Sequence, residues 1–374
     1  MNRTIVDIHI LQTVPPSNLN RDDTGSPKTA IYGGVRRARV SSQAWKRATR
    51  TDFETDLDRQ DLGVRTRRVI ELLAEEITAL RPDLEARAED LATDVFKAVG
   101  IPTKAPKKGE PGEAGYLVFL SRNQLEALAR AAVEAAETDD VAKALKDANV
   151  KALADRQHSV DIALFGRMVA DDSNLNVDAA AQVAHAISVH PVETEFDYFT
   201  AVDDVVASAD ESGAGMIGTV EFNSATLYRH ATVDVNRLQD NLGEATATRR
   251  AVEAFVRSFV RSMPTGKQNS FANRTLPEAV VVMVRDRQSI NLVGAFEDPV
   301  RETEQVGRVK QACDALRDEA LEIQRAYGEK PVASWITRVG SDTASLDDLG
   351  SNVAFDELVS ALGDVVATRL DGRA

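Results

Sequence analysis

The chain has 374 residues, of which 43% are hydrophobic and 28% charged, as is typical of a globular protein with a sizeable core. It has no run of about 20 apolar residues that predicts a membrane span, and its single cysteine, Cys313, excludes a disulfide framework. The opening residues are too short and too polar for a secretory signal peptide, so we expect a protein of the reducing cytoplasm.

The formal net charge of −14 argues against a nucleic-acid partner until its distribution is considered. Residues 1–50 contain nine Lys or Arg and three Asp or Glu, and residues 249–274 contain six and one. The basic side chains are therefore concentrated in two segments of an otherwise acidic chain. This pattern is compatible with a basic groove on an acidic body, and also with chance clustering on solvated faces.

The first fifty residues predict a strand, a long loop, a second strand and a helix. Residues 5–11 alternate between polar and apolar side chains as a strand does. Residues 15–28 are rich in Pro, Asn, Asp and Gly and predict a polar loop, and loops of this length are usually functional or disordered. Residues 31–40 predict a short strand, after which a serine caps a helix over residues 43–50.

The middle of the chain changes from helical patterns to strand patterns. Residues 64–160 predict mainly helices, and residues 178–189 predict one more. Residues 196–200 and 219–222 are strand-like and flank the polar stretch 203–215. We therefore predict a long hairpin arm with a flexible polar tip.

The last third of the chain predicts helices around one buried strand. Apolar residues at helical spacing over 252–263 predict a buried helix face, which Pro264 ends. Residues 279–284 predict a buried strand, and residues 301–326 and 354–369 predict amphipathic helices. The scattered strands and clustered helices together predict an α+β fold.

Two glycine motifs fail as nucleotide sites. Residues 213–218 fit G-x-G-x-x-G, but an acidic stretch precedes them and a strand follows, so a hairpin tip is favoured over a dinucleotide site. Gly266 and Lys267 resemble part of a P-loop that lacks its first glycine and its Ser or Thr. The five histidines show no metal-ligand spacing. We therefore expect no cofactor and no metal.

Asp22 and Asp23 leave two interpretations open. Two carboxylates beside basic residues suit a divalent metal near a phosphodiester, which would make the protein a metal-dependent ribonuclease. They also suit a structural role, capping a turn or orienting Arg21. The structural interpretation is favoured.

Residues 40–50 carry the strongest chemical signal. Lys46 and Arg50 are four apart and share one helix face, and amides at the helix N-terminus are suited to phosphate. Lys28 comes from the preceding loop, and residues 265–274 form a second polar, basic loop. Two loops of this kind suit an extended single strand held by its backbone.

Eight segments, in order and with consistent spacing, resemble the CasC family, the repeated backbone subunits of type I-E CRISPR Cascade complexes. The segments are 18–23 (NLNRDD), 30–34 (AIYGG), 41–43 (SSQ) with Lys46 and Arg47, 161–168 (DIALFGRM), 184–187 (AHAI), 199–204 (FTAVDD), 218–222 (GTVEF) and 267–268 (KQ). Each segment alone is weak evidence, but together they span essentially the whole chain.

The resemblance implies an RRM-like (ferredoxin-like) palm built from residues 1–55 and 161–374. Residues 56–160 would form a helical finger insertion, and residues 196–222 a β-hairpin thumb. Copies of such proteins stack head to tail along a CRISPR guide RNA, beside other Cascade subunits, and each thumb displaces one nucleotide. The remaining guide pairs with target DNA, so base pairing reads the sequence. We expect no catalytic activity from such a scaffold.

The resemblance also assigns roles to individual residues. Those implied to hold the RNA backbone are Asn20, Arg21, Lys28, Ser41, Gln43, Lys46, Arg50, Lys267 and Asn269. Arg167 and Met168 would lie beside the displaced nucleotide. The thumb residues that wedge the helix would be Tyr198, Phe199, Val202 and Ile217. Plain core packing remains an alternative for Met168, and burial within a strand for Tyr198 and Phe199.

Overall fold

The computed structural model describes residues 3–104, 112–169, 175–201 and 216–372. The strands are β1 (Ile5–Ser17), β2 (Thr29–Tyr32), β3 (Val35–Val40), β4 (Gly63–Thr66), β5 (Thr103–Lys104), β6 (Glu113–Ala114), β7 (Val118–Ser121), β8 (Ala181–Val183), β9 (Ala186–Ser188), β10 (Glu195–Ala201), β11 (Met216–Asp234), β12 (Ala279–Arg285), β13 (Ala333–Arg338) and β14 (Ser351–Asn352).

The α-helices include several short ones between the strands. They are α1 (Ser42–Asp52), α2 (Val69–Leu80), α3 (Ala88–Val99), α4 (Arg122–Ala136), α5 (Val141–Asp147), α6 (Val150–Leu153), α7 (Val160–Phe165), α8 (Val235–Leu242), α9 (Ala245–Arg261), α10 (Gln268–Phe271), α11 (Arg308–Tyr327) and α12 (Phe355–Asp371). No helix among the described residues is long and apolar enough to cross a membrane.

A large mixed sheet organises the fold. Its strand order is β14-β13-β12-β1-β11-β9-β3-β2, with β8 and β10 also paired to β11. The N-terminal strand β1 lies inside this sheet, antiparallel to β12 in a register that pairs Ile5 with Arg285 and Leu11 with Ala279. Both faces of β1 are buried, so nearly all of its side chains are shielded from solvent. The predicted α+β, RRM-like fold class is confirmed.

The chain divides into two compact units. The first contains Met1–Asp52, Gln182–Val233 and Phe255–Ala374. One apolar cluster of this unit packs Leu11 of β1 and Met283 of β12 against Leu316 of α11 and against Phe296. The amphipathic spacing of α11 and the strand period of β12 place these side chains on facing surfaces.

The second unit contains Phe53–Ala181 and Asp234–Ala254. Its core is formed by the apolar faces of α2, α3 and α4, with Leu73, Phe96 and Leu128 fully buried. Helix α4 begins in a capping box, in which Ser121 accepts from the Gln124 amide and the Gln124 side chain accepts from the Ser121 amide. The predicted finger, 56–160, falls within this unit, and the unit also takes in residues 161–181 and 234–254, which the resemblance assigned to the palm.

The helix predicted over residues 178–189 is wrong. The segment forms β8 and β9, and β9 pairs with β11 so that Leu227 faces Ser188 and Tyr228 faces Ile187. Alanine-rich composition favours a helix locally, but pairing with distant strands overrides that propensity. The predicted hairpin arm is described only at its base, because residues 202–215 lie outside the described residues, and with them the first half of the glycine motif.

Candidate nucleic-acid interface

The polar loop between β1 and β2 folds back onto the start of α1. The Asn20 side-chain oxygen accepts from the Ser41 amide at 2.9 Å, and the Asn20 carbonyl accepts from the Lys28 amide at 2.9 Å. Asn20 therefore holds the loop against the helix, and Lys28 is brought beside the helix N-terminus. Arg21 is exposed in the same loop.

Asp22 forms the turn within this loop. One oxygen of its carboxylate accepts from the Thr24 amide at 2.9 Å, the Thr24 hydroxyl at 2.7 Å and the Ser26 amide at 3.0 Å. The hydroxyl bond from Thr24 is the main cause that lowers the pKa of Asp22. Three donors on one oxygen are typical of an Asp that stabilises a turn. Within the described ranges, no group of three or more His, Cys, Asp and Glu is arranged to hold a metal ion.

Helix α1 has one buried face and an adjacent basic face. Trp45 and Thr49 are buried and lie four residues apart, so one side of the helix faces the core. Lys46 follows Trp45 and Arg50 follows Thr49, so both cations lie on the adjacent face, where they are half-buried. Burial lowers the pKa of Lys46. Gln43 is exposed. The helix therefore presents its two predicted cations together.

Three of the amides at the start of α1, which the sequence predicted to suit phosphate, are not available for it. The Ser41 amide donates to Asn20, the Ser42 amide to His185 Nδ1 at 3.1 Å, and the Ala44 amide to the Ser41 hydroxyl at 3.3 Å. Protein acceptors already satisfy these donors. Phosphate binding here would depend on cationic side chains, and Ser41 acts as a helix cap.

Two residues near this helix were not among the predicted site residues. His185 is exposed, and because its Nδ1 accepts from the Ser42 amide, its other ring nitrogen carries the proton. Burial and then the positive charges of Arg39 and Lys28 lower the pKa of His185. Arg39, Lys28 and His185 thus form a cluster of donors. The sequence signals for these two residues were weak: Arg39 is one of several basic residues near the N-terminus, and His185 lies in the segment 184–187 that resembles the family.

The second predicted loop lies against the first. A Cβ atom on Gly266 would lie 2.3 Å from the Leu19 carbonyl oxygen, so only glycine permits this approach. The two loops line an open cleft of about 540 Å³ to which Arg21 also contributes. Lys267 follows in the left-handed region with φ of 51°, an uncommon conformation for a residue with a side chain. Asn269 is exposed on α10.

Arg167 is not placed to bind RNA. The residue is 5% exposed, and its guanidinium donates to the carbonyls of Leu175 at 2.7 Å and Ala154 at 3.1 Å and to the carboxylate of Asp155 at 2.9 Å. These acceptors make Arg167 an internal brace of the second unit. Its neighbour Met168 is 86% exposed, which rules out plain core packing for that residue.

The base of the thumb hairpin exposes aromatic side chains. Tyr198 is 62% exposed, and Phe196, which was not among the predicted site residues, is similarly exposed on the same face of β10. Phe199 lies on the opposite face and covers Gly218 of β11, where a Cβ atom would lie 2.4 Å from the ring. Strand burial is therefore excluded for Tyr198. Val202 and the side chain of Ile217 lie outside the described residues.

Similarity to known proteins is consistent with this geometry. A family model described as CT1975-like protein matches residues 6–361, nearly the whole chain. The chain belongs to the CT1975-like protein family. No curated protein sequence matches it.

Solved structures extend the family assignment. One chain of a structure titled "CRISPR RNA-guided surveillance complex, pre-nicking" is 34% identical, with a TM-score of 0.83, and the match covers 97% of this chain and 100% of that chain. A chain titled "CRISPR RNA-guided surveillance complex" is 29% identical, with a TM-score of 0.71 over 96% and 99%. This CT1975-like chain therefore resembles subunits of CRISPR surveillance complexes, as predicted, and the finer assignment to type I-E CasC stays a prediction.

Proposed function

We propose that this protein is the CasC-type backbone subunit of a type I-E Cascade complex, a non-catalytic scaffold for CRISPR guide RNA. Copies bind head to tail along the guide, beside other Cascade subunits, and leave its bases available to pair with target DNA. The similarity to chains of CRISPR RNA-guided surveillance complexes over nearly the full length supports this function.

The observation that carries the proposal is that the loop of residues 18–28 contacts two other basic segments, the start of α1 and the second loop. Residues 18–28 contact the N-terminus of α1 through Asn20 and the second loop through Gly266. Lys28, α1 and Lys267 are thereby assembled from distant parts of an acidic chain. Cationic side chains on polar loops suit recognition of an RNA backbone independently of its sequence.

Exposed apolar residues support contacts with the displaced nucleotide and the next copy. Met168 and Tyr198 both expose more than half of their side chains although water is a poor environment for them. A splayed base or a neighbouring subunit would cover these side chains. Met168 and the base of the thumb thus keep the roles that the family resemblance implies.

The turn geometry of Asp22 supports a scaffold over a ribonuclease. Asp22 Oδ1 already accepts three hydrogen bonds, so a metal ion bound to that oxygen would compete with the donors that form the turn. A nuclease that uses two metals also needs several converging carboxylates. Asp22 therefore serves to shape the loop.

RNA titration tests the proposal. If Lys28, Lys46, Arg50 and Lys267 each neutralise one phosphate, the logarithm of the binding constant should fall with the logarithm of salt with a slope of about −3, from roughly 0.7 per phosphate. Each alanine substitution should reduce the slope by about 0.7 for RNAs of unrelated sequence. Lys310→Ala is the matched control, because Lys310 pairs with Asp314 at 2.8 Å on α11. A slope near zero, or a strong preference for one RNA sequence, would refute backbone recognition.

A further inference from the structure

Arg229 is a buried cation on β11. It is 1% exposed, and no carboxylate bonds to it within the described residues. Its guanidinium stacks over the Trp45 ring, with 3.7 Å from Cζ to the ring centroid, and lies 4.7 Å from the Phe259 ring. One nitrogen donates to the Gln12 side-chain oxygen at 2.5 Å, and another to the Phe259 carbonyl. Burial lowers the pKa of Arg229 to about 9, so it remains charged at neutral pH.

Gln12, on β1, continues this network toward the second basic loop. Its side chain is fully buried, and its amide nitrogen donates to the Thr275 carbonyl at 2.9 Å and the Thr275 hydroxyl at 3.2 Å. The same nitrogen contacts the Met263 sulfur at 3.4 Å. Met263 precedes the loop 264–274 and Thr275 follows it. Gln12 therefore closes the base of the loop that carries Lys267.

The other end of the network supports α1. Trp45 lies on the buried face of that helix, one residue before Lys46. Because Arg229 stacks on Trp45 and bonds to Gln12, a single chain of contacts runs from α1 through β11 and β1 to the second loop. Helix α1 and the loop that carries Lys267 are thus both supported by the buried side chains of Arg229 and Gln12.

We propose that Arg229 and Gln12 are positioning residues that hold α1 and the loop 264–274 in one register for the phosphates of a single-stranded RNA. The inference rests on the proposed RNA-binding function. An uncharged side chain of similar size would fill this site without the cost of desolvating a cation. Only the planar guanidinium stacks on a ring and donates two hydrogen bonds in fixed directions at once.

The first test uses Arg229→Met in the full-length protein and a labelled RNA of unrelated sequence. We expect affinity to fall by about 5- to 150-fold, the usual range for coupling between elements. We also expect the salt slope to become shallower by about 0.7 for each phosphate that the variant no longer neutralises. Thermal unfolding followed by circular dichroism measures the folded fraction. Loss of folded protein alone would lower the active concentration and leave the salt slope unchanged, and that outcome would overturn the proposal.

The second test uses Gln12→Met, which leaves the stack on Trp45 in place and remains informative if the Arg229 variant does not fold. In that background Lys267→Ala should add almost no loss of RNA affinity, because the loop is no longer positioned. Lys46→Ala should cost its full amount. Equal losses from Lys267→Ala with and without Gln12→Met would overturn the inference.

The proposed function and the positioning role fail in different ways. If Lys46→Ala and Lys267→Ala leave RNA binding unchanged in the otherwise native chain, the proposed function itself fails. If both weaken binding while the Arg229 and Gln12 variants keep native affinity and salt slope, only the positioning role fails.

Discussion

Replacing Arg167 by Met should destabilise the second unit without removing a direct RNA contact. The guanidinium donates hydrogen bonds to the carbonyls of Leu175 and Ala154 and to the carboxylate of Asp155. Methionine fills a similar volume but donates no hydrogen bond. The two carbonyls would be left buried without this donor, whereas Asp155 is partly exposed and regains water.

The magnitude follows from the acceptors that lose their donor. Each buried acceptor left unsatisfied costs about 1–3 kcal/mol, and removing one partner of a buried ion pair typically costs about 3–5 kcal/mol. Since Asp155 recovers solvation, we expect the free energy of unfolding of the second unit to fall by about 3 kcal/mol. Met168→Ala is the matched control and should change stability by less than about 0.5 kcal/mol, because the side chain is exposed.

Urea unfolding with two probes measures this effect. Both tryptophans, Trp45 and Trp335, belong to the first unit, so their fluorescence reports on that unit, while circular dichroism reports on both. For Arg167→Met we expect the dichroism transition to move to lower urea and RNA binding to follow the folded fraction. Wild-type stability together with a loss of RNA affinity at low temperature would refute this reasoning and restore a direct RNA contact for Arg167.

Three further changes test other parts of the structure. Gly266→Ala should force the two loops apart, cost about 1–3 kcal/mol in urea unfolding and weaken RNA binding, whereas native affinity would contradict the close approach. His190 accepts from the Thr226 amide, and burial and then a nearby arginine lower its pKa from 6.5 to about 4. The unfolded chain thus binds the proton first, so stability should be complete above about pH 7 and fall by up to about 3 kcal/mol toward pH 4. His190→Gln should flatten that part of the pH curve, and an unchanged curve would exclude this histidine. Asp22→Asn with Asp23→Asn should leave RNA-bound assembly intact and change no magnesium-dependent RNA cleavage, and loss of such cleavage would favour the ribonuclease.

Local patterns in the sequence were sufficient for the elements that lie nearest the site. The apolar alternation of residues 5–11, the turn formers of residues 15–28 and the serine-capped start of α1 are all short-range signals. The structure contains the strand, the loop and the helix start, but residues 15–17 of the predicted loop belong to β1, which extends to Ser17. Spacing of four residues also placed Lys46 and Arg50 on one face.

Long-range contacts account for what the sequence could not predict. The alanine-rich segment 178–189 became strands because β11 pairs with it across forty residues of chain. Burial of Arg167 depends on acceptors at three other positions, and no local pattern distinguishes a buried arginine from an RNA-binding one. The contact of Gly266 with Leu19 spans most of the chain, so its glycine looked like a failed nucleotide motif.

The position of β1 between β11 and β12 also constrains the order in which this protein folds. Strand β1 precedes both of its neighbours in the chain, since β11 begins at Met216 and β12 at Ala279. A sheet closed by such distant pairings forms slowly, because a long stretch of chain must be ordered before the contacts form. The apolar β1 therefore stays unpaired until β11 has been synthesised, and it gains its second neighbour only with β12. Translation products that stop before β11 would lack both neighbouring strands and expose β1 to aggregation.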